Sequence, residues 1–122
     1  MLQKITPAEE AAGLTEFWSQ RVLASANGDL FKVARGTGST EWHSHDDQDE
    51  TFLLLSGELT VQLRDGDVVL SPGDLLVVPR GVEHRPRAEG EARFLLVGPE
   101  VTSTAAGGKP AWSYAGGAPD RS

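Results

Sequence analysis

The sequence predicts an all-β chain folded as an antiparallel barrel or sandwich, with a short N-terminal helix and an irregular C-terminal tail. Three observations carry this. Short β-type segments recur between residues 21 and 97. The breaks between them are turn signals, Ser56-Gly57, Asp65-Gly66, Ser71-Pro72-Gly73, Arg80-Gly81 and Glu89-Gly90. Apolar residues also alternate with polar ones, as where Leu59, Val61 and Leu63 share one face and Thr60 and Gln62 the other. Closely spaced strands of this kind build barrels and sandwiches.

The helix is placed at residues 6–12, because Thr6 and Glu9 stand at capping-box spacing and Pro7 occupies the first helical position. Strand segments at 21–24 and 30–35 flank Asn27-Gly28-Asp29, a strong hairpin signal. Further segments follow at 40–45, 51–55, 59–63, 67–70, 75–78, 83–85 and 93–97. After Pro99 the composition shifts to Gly, Ala, Ser, Thr and Pro, which bury little surface and cost much entropy to order. Residues 1–100 are therefore expected to form the barrel with its N-terminal extension, and 101–122 a Gly/Ala/Pro-rich tail. Trp112 and Tyr114 either dock that tail on the body or a neighbouring subunit, or belong to a disordered end.

A chain of 122 residues closes one core, not two. Its 39% hydrophobic and 24% charged residues are ordinary for a globular domain and argue against a disordered or membrane class. The first residues lack an apolar signal region, and no run approaches the roughly 20 apolar residues of a membrane helix, so a cytoplasmic location is expected. With no cysteine, disulfides, thiolate zinc sites and cysteine nucleophiles are excluded, and His and carboxylates are left as the strong metal ligands. A formal net charge of −7, without a Lys/Arg stripe, argues against a nucleic-acid partner.

The chemistry-bearing residues gather in two places. His43 and His45 are two apart on an expected strand, so both side chains emerge on one face. Glu50 follows across Asp46-Asp47-Gln48-Asp49 and shares parity with Phe52 and Leu54, whereas Asp49, a competing carboxylate, has the opposite parity. His84 comes after the Pro79-Arg80-Gly81 turn and reaches the other three only in a closed or sandwiched sheet. Taken singly, each is a hydrogen-bonded imidazole or a solvated turn carboxylate. Jointly that reading weakens, because all three histidines of the chain occupy these places beside a carboxylate.

The run Gly38, His43, His45, Glu50 and Gly57 resembles the first motif of the cupin superfamily, in which two His and a Glu bind metal. The stretch Gly73, Pro79, Gly81 and His84 resembles the second motif, which supplies the remaining His. The resemblance covers roughly residues 30–98 and is to the small single-domain (monocupin) members. It implies a double-stranded β-helix, the jelly-roll barrel, holding one divalent metal ion through His43, His45, Glu50 and His84. Family spacing also favours Glu50 over Asp49. Two departures fall at positions of turn geometry: only four residues separate Gly38 from His43, where five are usual, and Ala88 stands in place of an Asn.

Three imidazoles and a carboxylate suit Fe, Mn, Zn, Ni, Co or Cu. Octahedral geometry leaves two positions open to a substrate. The resemblance implies an enzyme acting on a small hydrophobic or carbonyl-containing metabolite, of isomerase, lyase, cyclase or dioxygenase type, or alternatively a non-catalytic metal- or ligand-binding or sensor module. Glu41 is the candidate catalytic acid or base, facing the interior if the 40–45 strand is regular and lying at the solvated mouth if it bulges or starts later. Phe52 and Leu54 line the interior as pocket wall or plain core, and Trp42 points outward. Arg80, Arg85 and Arg87 either attract a carboxylate substrate or are solvated loop charges. A homodimer is expected through an exposed sheet edge and the apolar Phe17, Trp18 and Val22.

Overall fold

In the computed structural model, which describes residues 2–102, one long strand joins the two halves of a barrel. Helix α1 (Pro7–Ala12) is followed by β1 (Arg21–Ala26), β2 (Asp29–Ser39), β3 (Glu50–Ser56), β4 (Leu59–Leu63), β5 (Gly66–Leu70), β6 (Leu75–Val78) and β7 (His84–Gly98). All strand pairs are antiparallel. Strand β7 pairs with β2 along most of its length; its first residues, His84 to Arg87, pair also with β4, and Arg93 to Val97 with β3. The sheet is thereby folded around β7, with β1 added to β2, β6 to β3 and β5 to β4. This is the expected small all-β jelly-roll barrel with a short N-terminal helix.

Period-two alternation fills the inside. Ala88, Ala92, Phe94 and Leu96 of β7 meet Phe52 and Leu54 of β3 and Leu59 and Val61 of β4 in one buried cluster. On the same inward parity, β7 begins with His84 and β3 with Glu50, both buried. The strands that form the core therefore carry two candidate ligands at their first residues.

Part of the outer face is covered too. Ala11 of α1 and Leu14 just beyond it pack on Val33, with Leu23, Leu55 and Leu95 around them. The helix starts without a side-chain cap from Thr6; Pro7 at the first turn and the Thr6 carbonyl, which accepts from the N–H groups of Glu9 and Glu10, suffice. Trp18 lies over Gly36, where its ring leaves no room for a Cβ, and its Nε1–H donates to the Thr37 carbonyl at 3.1 Å. The apolar surface expected from Phe17, Trp18 and Val22 thus gives up Trp18 to the barrel's own packing, while Phe17 and Val22 stay exposed.

Two expected elements differ. Segments 83–85 and 93–97 are the ends of a single strand, and Glu89-Gly90 does not reverse the chain. Between the Gly36–Ala92 and Gly38–Ala88 pairs one residue of β2, Thr37, opposes three of β7, Glu89 to Glu91, so Gly90 lies in a bulge that bends β7 between its partners. Segment 40–45 is not a strand: β2 ends at Ser39, and beyond it His43 forms one isolated antiparallel bridge to His84, with N–H···O distances of 3.0 and 2.9 Å. The Asn27-Gly28 turn joins β1 to β2 as expected. Thr102, two positions after the expected limit at residue 100, is fully buried; Trp112 and Tyr114 lie outside the described residues. No helix among the described residues is long and apolar enough to cross a membrane.

Gly57 holds the β3–β4 turn at φ +83°, and a Cβ there would collide with the Glu91 carbonyl oxygen of the β7 bulge. Left-handed strain and overpacking together give Gly57→Ala an expected cost of about 2–4 kcal/mol in denaturant unfolding. A loss below about 0.5 kcal/mol, the range of ordinary surface changes, would contradict this packing.

Candidate metal centre

The four candidate ligands converge at one end of the core. Their donor atoms all lie within 4.8 Å of one another, and all four side chains are buried, His43 being the most exposed at 8%. The ring centroids of His84 stand 4.5 Å from His43 and 5.5 Å from His45. The predicted set His43, His45, Glu50 and His84 is therefore brought together. Strand starts supply Glu50 and His84, whereas His43 and His45 come from the loop, held by the His43–His84 bridge and by the Gly81 N–H donating to the His45 carbonyl at 2.8 Å. One bridge is enough to keep an extended alternation, so both imidazoles enter the barrel although the segment is no strand.

Backbone carbonyls fix two tautomers. His43 Nδ1–H donates to the Glu41 carbonyl at 2.7 Å and His84 Nδ1–H to the Val82 carbonyl at 2.9 Å. A carbonyl can only accept, so each neutral ring keeps a lone pair on Nε2. His84 Nε2 stands 3.1 Å, and His45 Nε2 3.3 Å, from Glu50 Oε1. An imidazole lone pair facing a carboxylate oxygen is repulsive unless a proton or a metal cation lies between them. His45 Nδ1 has no hydrogen-bond partner among the described residues.

The electrostatics agree. Burial, followed by the neighbouring His84, pushes the His43 pKa well below its usual value, against a smaller opposing pull from Glu50, so the ring is neutral at neutral pH, as a ligand must be. Burial acts to raise the Glu50 pKa, but positive charge carried on His45 and His84, in the place a metal cation would take, outweighs it and holds the carboxyl well below the usual range. Ligand atoms about 2.1 Å from a common ion stand roughly 3–4 Å apart, so drawing the most separated pair together by about 1–2 Å, shared between two side chains, closes this set around one ion. The residues present fit a divalent metal.

Other candidates are placed differently. Asp49 is exposed, accepts from the Arg80 backbone N–H at 2.9 Å and lies outside the convergent set. Glu41, read as facing the interior if 40–45 is a regular strand and as solvated if it is not, has an exposed side chain, since β2 ends at Ser39 and a single bridge at His43 follows; it serves the site through its carbonyl. Trp42 faces outward, with the Arg64 guanidinium 3.9 Å and that of Arg85 5.1 Å from its ring centroid. Arg80 pairs with Asp49, Arg85 with Gln62 and Arg87 with Glu89, so these arginines are engaged at the surface. Phe52 does approach the cluster, its ring centroid 6.3 Å from that of His84.

Two contacting residues carried no sequence signal. Glu50 Oε2 accepts from the Thr102 hydroxyl at 3.0 Å, and Gln20 bonds to Thr102 in turn. Thr102 sits in a stretch that reads as tail, and Gln20 lies between helix and strand, 82 positions away. Only the closed fold makes them neighbours of Glu50.

A family model described as a cupin domain matches residues 29–98, which include every candidate ligand and both motifs. The chain belongs to the cupin domain family. A cupin-2 domain containing protein from Shewanella frigidimarina NCIMB 400 is 34% identical, with a TM-score of 0.73 over 76% of this chain and 91% of that one. Protein NMB1881 from Neisseria meningitidis is 27% identical, with a TM-score of 0.71 over 79% of this cupin and 98% of that chain. The uncharacterized protein YdbB of Bacillus subtilis strain 168 is 37% identical over 67 residues, which are 54% of this chain and 59% of that protein. The cupin thus spans less than two thirds of YdbB's length.

Replacing the carboxylate should separate ligand from neighbour. Glu50→Gln is expected to lower divalent-ion affinity by more than about a hundredfold, the top of the range for outer contacts, and Asp49→Asn to leave it within about twofold. Competitive titration with a chromogenic chelator measures both, and the reverse order would show that Asp49 is the ligand.

Proposed function

We propose that this cupin is a metal-dependent enzyme acting on a small metabolite that carries a carbonyl or related oxygen, by isomerase, lyase, cyclase or dioxygenase chemistry. The observation that supports it is the convergence of three imidazoles and one carboxylate inside an apolar barrel, with Phe52 beside His84. When bound, a divalent ion would supply Lewis acidity toward such an oxygen, or electron transfer if it is redox-active. The chain's own part is to hold neutral imidazoles through the Glu41 and Val82 carbonyls, to offset the ion's charge with Glu50, and to exclude water with Phe52 and the apolar core. With Glu41 exposed, Glu50 is the carboxylate in contact with the cluster, and its part is to offset the ion's charge.

The closure of the centre favours a second reading, a non-catalytic metal- or ligand-binding module. No ligand side chain is more than 8% exposed, and Thr102 is docked on Glu50. Protein loaded separately with Zn, Ni, Mn and Fe(II) and offered a panel of carbonyl, enol and polyol compounds distinguishes the two, with oxygen consumption followed for the iron form. The enzyme reading expects turnover that is absent in His43→Ala. Compounds retained unchanged by every loaded form would sink it and support the binding module.

A further inference from the structure

The two oxygens of Glu50 keep different company. Oε1 faces His84 and His45, while Oε2 accepts the Thr102 hydroxyl. Gln20 fixes the direction of that bond. The Thr102 backbone N–H, which can only donate, meets Gln20 Oε1 at 2.9 Å; the amide nitrogen must then face the Thr102 hydroxyl oxygen, and does so at 2.8 Å. With its oxygen accepting from Gln20, the hydroxyl has its single proton left for Glu50. All three side chains are buried: Gln20 is 8% exposed, Glu50 2% and Thr102 0%. The segment leading to Thr102 has a second tie, since the buried Lys32 ammonium donates to the Glu100 carbonyl.

We propose that Gln20 and Thr102 are positioning residues of the metal centre, holding Glu50 as a one-oxygen ligand and latching residues 99–102 over the ion. This rests on the reading that His43, His45, Glu50 and His84 bind metal. An oxygen that already accepts a hydrogen bond from a fixed hydroxyl is a poorer second ligand, so Glu50 uses Oε1 and leaves a coordination position that a chelating carboxylate would fill. Because Thr102 bonds to a ligand, docking of this segment and retention of the ion are linked, and each strengthens the other. A substrate approaching from this side would reach the ion when the latch opens.

Co(II) is the probe, since its visible bands report coordination number. Thr102→Val and Gln20→Ala are expected to weaken Co(II) binding by about tenfold or more, the usual loss for an outer contact of a metal ligand. They are also expected to speed Co(II) loss to a chelator and to shift the visible bands, whereas Thr102→Ser restores the parent values. In the parent, Co(II) is expected to slow hydrogen exchange at the amides of Glu100, Val101 and Thr102, a readout that needs no variant to fold. Affinity within twofold of the parent in both variants, unchanged bands, or unchanged exchange would overturn the latch while leaving the metal centre standing. A parent chain that takes up no Co(II) or other divalent ion would remove the metal reading itself, and the latch with it.

Discussion

A carboxylate and three imidazoles, buried together at one end of an apolar barrel, need a positive charge among them. A buried ionised group without a partner is among the costliest features a protein interior can hold, and a half-satisfied cluster is worse than plain core. Here the Glu41 and Val82 carbonyls direct the His43 and His84 lone pairs inward, toward an acidic group whose carboxyl is held in its ionised form. Metal coordination would resolve all of these demands at once. The rest of the structure can be understood as the scaffold that makes this unfavourable grouping possible.

The scaffold depends on β7. By pairing with β2 along its length, with β4 at its start and with β3 at its end, it carries His84 to the beginning of β3, where Glu50 stands. The bulge at Glu89 to Glu91 lets one strand serve both halves, and Gly57 leaves room for it. The helix on the outer face covers Val33, and Trp18 covers Gly36.

What could be read in the sequence was what depends on local period and residue type. Alternation in β3 and β4 gave the inward faces, and the inward faces gave Glu50 over Asp49. The hairpin at Asn27-Gly28 followed from turn chemistry alone. Misreadings arose where a local signal has two structural uses. Gly90 fits a turn or a bulge, and only the pairing of both halves of β7 decides. Glu41 shares parity with His43, but parity binds only where a ladder holds the chain, and the ladder there is a single bridge. Gln20 and Thr102 were beyond reach for another reason: their role lies in contacts across the whole fold, and the residues around Thr102 resemble a tail.

The central claim is that the four residues hold one metal ion. Elemental analysis of the protein purified without chelators, beside a His43→Ala/His84→Ala variant shown by circular dichroism to be folded, tests it most directly. The account expects about one equivalent of a divalent transition metal per chain in the parent and its loss in the variant. Metal content in the parent no higher than in the folded variant would contradict it, leaving the histidines to be satisfied by protonation or by direct contact with a ligand.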